Sequence, residues 1–223
     1  MTTTSSKLLA GALAAVVLAG GGWWLTRGAA PADGALSLAA VAQETGDAQI
    51  LPDMVMGQQD APVTLIEYAS FTCPHCASFH ENVVDRLKAD YVDTGKVRFI
   101  HREVYFDKFG LWAGLVASCG GAPKYFAIAD MIYDTQRDWI GNGQDATVAA
   151  NLRKIGLKAG LSGDQLEACL NDQARAQQMV ATYQKNATAD DISATPTLVI
   201  NGTKHSNMSY EDLKAILDKE LAK

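Results

Sequence analysis

With 223 residues, 48% of them hydrophobic and 20% charged, the chain can build one packed domain, or one carrying an insertion, and is too apolar for a disordered polymer. Nineteen lysines and arginines against 25 acids leave a net charge of −6, and with no basic run this excludes the electrostatic footprint of a nucleic-acid binder. Four cysteines are too few for a disulfide-built scaffold, so their spacing carries the information.

Leu8 to Leu25 holds no charged side chain and follows Lys7, the layout of a secretory signal with a positive start and an apolar stretch. Leu8 to Ala19 suits the apolar part of a signal. Extended to Leu25, the run reaches the lower limit for a bilayer span, with Trp23 and Trp24 at the interface. Ala30-Pro31-Ala32 has the small-residue form of a cleavage site. Residues 1–32 are therefore expected to be a signal peptide or an N-terminal membrane anchor, and either one exports the remainder. Residues 33–60, rich in Ala and Gly near their start, read as a linker and N-terminal extension.

From Ala61 the pattern sharpens. Val63 to Tyr68 is a β-favouring run opened by Pro62, and it leads into Cys73-Pro74-His75-Cys76. Cys76, Phe79, His80, Val83, Val84, Leu87 and Tyr91 then recur at three- and four-residue steps, the stripe of an amphipathic helix that Thr94-Gly95 ends. Pro74 fits the first turn of that helix, where its missing N–H has no partner to lose. Val97 to Tyr105 predicts a second strand. Strand, helix and strand joined by a helical crossover imply a parallel pair, so 61–107 opens an α/β domain. Residues 108–190 show only helix-spaced clusters, such as Leu111-Trp112-Leu115-Val116 and Val148-Leu152-Ile155, with a capping box at Ser162-Gly163-Asp164-Gln165. Residues 191–223 return to β: Thr197 to Ile200, an Asn201-Gly202 hairpin turn, Thr203 to Ser206, then a last helix capped by Ser209. The order is β-α-β, a helical block, a β-hairpin and a helix.

A Cys-x-x-Cys at a helix start places one thiol at the positive end of the helix dipole, where its thiolate is stabilised, and the other one turn inside. His75 can add positive charge or a hydrogen bond to the outer sulfur. A stabilised thiolate leaves easily and favours the reduced pair, which makes the disulfide form an oxidant. A zinc knuckle or an inert disulfide is the alternative. Zinc needs about four ligands; no second Cys-x-x-Cys exists, and His75 lies between the thiols. No cofactor is called for.

The run Glu67-Tyr68-Ala69-Ser70-Phe71-Thr72-Cys73-Pro74-His75-Cys76, together with Thr195-Pro196-Thr197-Leu198-Val199-Ile200-Asn201-Gly202, closely resembles the DsbA family of exported thiol–disulfide oxidoreductases. The resemblance covers residues 61–223 and implies a thioredoxin fold with an inserted all-helical domain. Cys-Pro-His-Cys is typical of the oxidising members. The resemblance assigns Pro196 as the cis-proline that faces the active-site pair and docks substrate backbone. It places Thr195 beside Pro196, where the best-known oxidases carry Val and isomerase-like relatives carry Thr. It also makes Glu67 a buried acid that relays protons to or from Cys76; a carboxylate on a solvated strand face is the other reading. Reduced exported proteins are then the substrates, in the periplasm, and a membrane quinone-linked reoxidase of the DsbB type is the partner.

Cys119 and Cys169 both fall in the helical block. In an exported protein they most simply form a structural disulfide worth about 3–4 kcal/mol in the chain-entropy model. A second redox pair and two buried free thiols are the alternatives. His80, His101 and His205 read as structural histidines, and Trp112, Trp139, Tyr125 and Phe126 as packing residues. The functional expectation is a thiol oxidase donating a Cys73–Cys76 disulfide. An isomerase or reductase on the same fold, and a metal-binding chaperone using Cys73, His75 and Cys76, are the alternatives.

Overall fold

A computed structural model describes residues 49–223; the expected signal or anchor at 1–32 lies outside the described residues. Strands β1 (Met54–Met56), β2 (Val63–Ala69), β3 (Val97–Glu103), β4 (Thr197–Ile200) and β5 (Thr203–Ser206) form one sheet in the order β1-β3-β2-β4-β5. β2 and β3 are parallel, and the other neighbours are antiparallel. The parallel pair follows from the helical crossover between Ala69 and Val97. Asn201 and Gly202, both at positive φ, make the β4–β5 turn that their residue types favour.

The reading of 33–60 as linker and extension needs one correction. Met54–Met56 pairs with Phe99–His101 and extends the sheet at its edge. Three residues cannot display the alternation of a half-buried strand, so only the partner β3 makes this segment legible.

Helix α1 (Pro74–Phe79) runs on without a break through a π-helical turn at His80–Val84, a short α-helical turn at Asp85–Leu87 and a second π-helical turn at Lys88–Val92. Three- and four-residue spacing predicts plain α-helix here and cannot register the wider turns, which occur often at functional sites. The helical block comprises α2 (Lys108–Cys119), α3 (Ala122–Asp134), α4 (Gln136–Ile140), α5 (Asp145–Lys158), α6 (Gly163–Leu170) and α7 (Gln173–Ala189), and α8 (Tyr210–Leu221) closes the chain. Ser162 and Gln165 exchange the two hydrogen bonds of a capping box at the start of α6, and Ser209 caps α8.

One hydrophobic core lies between a sheet face and two helices: Val63, Leu65, Phe99 and Leu198 pack against Phe79 and Leu87 after the motif and Leu213 and Leu217 of α8. Another fills the helical block around Ile128, Ile132, Trp139, Val148 and Leu152, and it extends to Phe71 and Cys76. Each fully buried side chain of this kind contributes about 1.5–3 kcal/mol. The active-site helix is thereby held from below by the sheet and from the side by the inserted helices. Trp112, Tyr125 and Trp139 are buried and Phe126 is half-buried against the same core, which fits their reading as packing residues.

Candidate active site

Cys73 is the N-cap of α1, with extended backbone, and Pro74 occupies the first turn. The N–H groups of Cys76 and Ala77 bond the Cys73 carbonyl at 3.1 and 3.2 Å. The Cys73 sulfur is thus left at the helix mouth, beside the positive end of its dipole. Both residues are free thiols; Cys73 is partly exposed and Cys76 fully buried. The Thr195–Pro196 peptide bond is cis, and the Cys73 thiol donates to the Thr195 carbonyl at 3.6 Å. Pro196 itself is buried.

The two sulfurs are driven apart in acidity. The Cys73 thiol is lowered to about 5, chiefly by a hydrogen bond from Cys76; partial burial opposes this, and the Thr195 side chain and the N–H groups of Cys76 and His75 add to it. Cys76 moves the other way, well above the ordinary thiol value, through the same hydrogen bond, burial and the negative charge of Glu67. At neutral pH Cys73 is a nucleophilic and good-leaving thiolate while Cys76 stays protonated. The His75 side chain is exposed, and what it supplies to the Cys73 sulfur here is its backbone N–H.

Beneath the motif lies a buried polar cluster that strand alternation exposes in hindsight. Val63, Leu65 and Glu67 share one face of β2, Val97, Phe99 and His101 share one face of β3, and Glu67 is in register with His101. Each strand therefore places a titratable residue where the pattern calls for an apolar one. Glu67 is wholly buried, so it is not a carboxylate on a solvated face. Its Oε2 lies 3.0 Å from His80 Nε2. Burial pulls the His80 imidazole down, but the hydrogen bond to Glu67 and the negative charges of Glu67 and Asp130 outweigh it and raise the group to about 9. His101, by contrast, is lowered to about 4 by burial, against the pull of Glu67. Tyr125 spends its proton on Glu103 Oε1, so it accepts from His101 Nδ1, and His101 Nε2 accepts from Tyr133. Glu67, His80 and His101 bring three donor atoms within 4.8 Å of one another. Within the set, Glu67 Oε2 pairs with His80 Nε2, and both His101 nitrogens pair with tyrosine hydroxyls.

The helical block also grips the motif. Buried Gln136 of α4 donates to the carbonyls of Phe71 and Cys73 at 2.8 and 3.0 Å. Thr72 donates to Asp107 at 2.7 Å, and Asp107 also caps α2. Sequence reasoning missed Gln136 and read His80 and His101 as structural histidines. His80 was detectable as the residue one helical turn beyond Cys76 on the same face, and His101 by strand alternation; Gln136 leaves no pattern, because its contact is purely tertiary.

Residues 50–219 match the thioredoxin family model. The chain belongs to the thioredoxin superfamily. Within it the chain is a DsbA-family member. Wolbachia pipientis alpha-DsbA1 superposes with a TM-score of 0.72 at 27% identity, covering 78% of this chain and 94% of that one. A putative protein-disulfide oxidoreductase of Rickettsia bellii is 29% identical over 170 residues, covering 76% of this chain and 64% of the relative. Disulfide bond formation protein D of Bacillus subtilis is 26% identical over 186 residues, covering 79% of this chain and 81% of the relative. This chain spans less than two thirds of the length of the rickettsial relative. The DsbA-family architecture, a thioredoxin fold with a helical insertion, accounts for how Cys73, Cys76, Thr195, Pro196 and Glu67 meet although they come from distant segments. Cys119 and Cys169 lie away from them and are joined to each other, tying the end of α2 to α6. His205 lies on β5, the outer strand of the hairpin that follows the Thr195–Pro196 step.

Proposed function

We propose that this protein is an exported thiol–disulfide oxidoreductase that donates a Cys73–Cys76 disulfide to reduced proteins in the periplasm. The observation that carries the reading is the opposed acidity of two thiols one helical turn apart, beside a cis-proline loop. A substrate thiolate attacks Cys73 Sγ, the Cys73–Cys76 bond breaks, and its electron pair stays on Cys76, which takes up a proton. A second substrate thiolate then attacks the substrate sulfur of the mixed disulfide and expels Cys73 as its stabilised thiolate. The substrate leaves as a disulfide and the protein as a dithiol. Its reoxidation falls to a membrane quinone-linked partner of the DsbB type.

Pro196 and Thr195 present the backbone edge on which substrate docks, and Thr195 also steadies the Cys73 sulfur. His75 contributes through its N–H and its position at the helix mouth. Glu67 exchanges protons with Cys76. Thr195 supports a second reading, an isomerase or reductase on the same scaffold, because a hydroxyl neighbour to Cys73 is the feature those relatives carry. Equilibration with glutathione separates the two. An oxidase settles toward about −120 mV, an isomerase nearer about −180 mV, and a value near thioredoxin's, about −270 mV, rejects the oxidase.

A further inference from the structure

Taking the disulfide exchange proposed above as its basis, we propose that His80 and Asp130 form the outlet of a proton path between Cys76 and solvent, acting through Glu67. Cys76 is wholly buried, yet it must gain a proton when the disulfide opens and lose one when it re-forms. A buried thiol cannot exchange with bulk water directly, so a fixed chain of groups has to serve it. The negative charge of Glu67 acts on Cys76. Its Oε2 is taken by His80 at 3.0 Å, and its Oε1 has no hydrogen-bond partner.

His80 continues the chain. Its side chain is 4% exposed, its Nδ1 has no hydrogen-bond partner, and that nitrogen lies 3.8 Å from Asp130 Oδ1, whose side chain is 52% exposed. A buried imidazole nitrogen left without a partner is destabilising. Here it points at a carboxylate that has the solvent access to close the remaining gap of roughly 1 Å by a side-chain rotation. The imidazole is fixed by stacking on Tyr133, with ring centroids 3.9 Å apart, and by an edge-on contact with His101 at 5.7 Å. It therefore passes a proton from one nitrogen to the other without turning over.

The groups facing His80 are Glu67 on β2, His101 on β3, and Asp130 and Tyr133 on α3. Glu81, Asp85 and Asp134 extend the field around Asp130, since Asp134 is held above the usual carboxylate range by partial burial and by the charges of Asp130, Asp85 and Glu81. This rim of carboxylates collects protons at the mouth of the path. The steps balance. The path runs through the neutral form of His80: on disulfide opening the Nε2 proton passes through Glu67 to the Cys76 thiolate while Nδ1 accepts a proton from Asp130, which solvent has loaded, so the imidazole carries one proton before and after. On disulfide closure every transfer reverses, so the path resets once per cycle. His80 and Asp130 are positioning residues, because neither touches the sulfurs.

The test is a single turnover of the reduced full chain with oxidised glutathione. The first phase forms the mixed disulfide at Cys73 and needs no proton from Cys76; the second resolves it and requires Cys76 to lose its proton. Asp130 is exposed, so Asp130→Asn folds. The expected result is a second phase slowed roughly 10- to 100-fold, as loss of a positioned proton-transfer group predicts, and restored by Asp130→Glu or by added imidazole. A second phase as fast as wild type, or one that neither rescue restores, overturns the path. If wild-type protein forms no mixed disulfide at Cys73, it is the exchange reading itself that fails, and the two failures are told apart by the first phase.

Discussion

The two cysteine pairs of this protein share one functional group and almost nothing else. Cys73 and Cys76 are three residues apart at a helix mouth, where the backbone, a neighbouring thiol and a buried acid pull their acidities in opposite directions. Cys119 and Cys169 are 50 residues apart, half-buried in the helical block, and bonded to each other across α2 and α6. One sulfur of the first pair is partly exposed and the other is buried among protein groups. The second pair closes a long loop and removes freedom from the unfolded chain. Reactivity in a cysteine pair is thus set by what surrounds each sulfur as a thiolate, and stabilisation by how much chain the bond encloses.

Substitution breaks this contrast most sharply at Cys73. Cys73→Ser is expected to cut the rate of oxidation of a dithiol peptide by about 10³-fold or more, as nucleophile removal does in other covalent enzymes, whereas Cys76→Ser accumulates a mixed disulfide visible by mass spectrometry. Should Cys73→Ser retain exchange, the division of roles between the pairs is wrong. The double substitution Cys119→Ala/Cys169→Ala is expected to lower stability to urea by about 3–4 kcal/mol and to leave exchange at Cys73 intact. A large loss of exchange in a folded double variant would make the second pair a redox partner of the first.

The smallest effect sharpens the comparison. In the reduced protein Cys73 is held at about 5 against an ordinary 9.0. A lowered folded value stabilises fully above pH 9, is lost as pH falls from 9 to 5, and is absent below 5. Groups common to both forms cancel when reduced and oxidised protein are compared, so the gap in Tm between them is expected to shift in favour of the reduced form as pH rises from 5 to 9, by roughly several degrees. His80 works in the opposite sense in either form: raised to about 9, it stabilises fully below pH 6.5 and stops doing so as pH passes 9. A gap in Tm that is flat between pH 5 and 9 would show that Cys73 titrates as an ordinary thiol.

Much of the architecture was legible because its signals are local. The β4–β5 hairpin and the Ser162 and Ser209 caps each depend on residues within four positions of one another, and each is found where the residue pattern places it. β1 escaped notice because a three-residue edge strand exists only through its partner. The π-helical turns after Phe79 share the spacing of an α-helix closely enough to hide in it. At the site, Cys73 and Cys76 announce themselves by spacing, and Pro196 by resemblance. Glu67 required burial to become more than a strand residue, and His80 required Glu67.

By itself the sequence determined which atoms can do chemistry: a thiol pair at a helix start, a strand-borne acid, and a Thr-Pro step before a hairpin. Their residue types and local spacing decide helix mouths, turns and caps, because those rest on contacts within a few positions. Only the tertiary structure decided which sulfur meets Thr195, which acid lies under Cys76, and which histidine nitrogen faces Asp130. Those relations join segments as distant as 122 residues, and acidity in a buried site depends on the neighbours in space that stabilise or repel a charge.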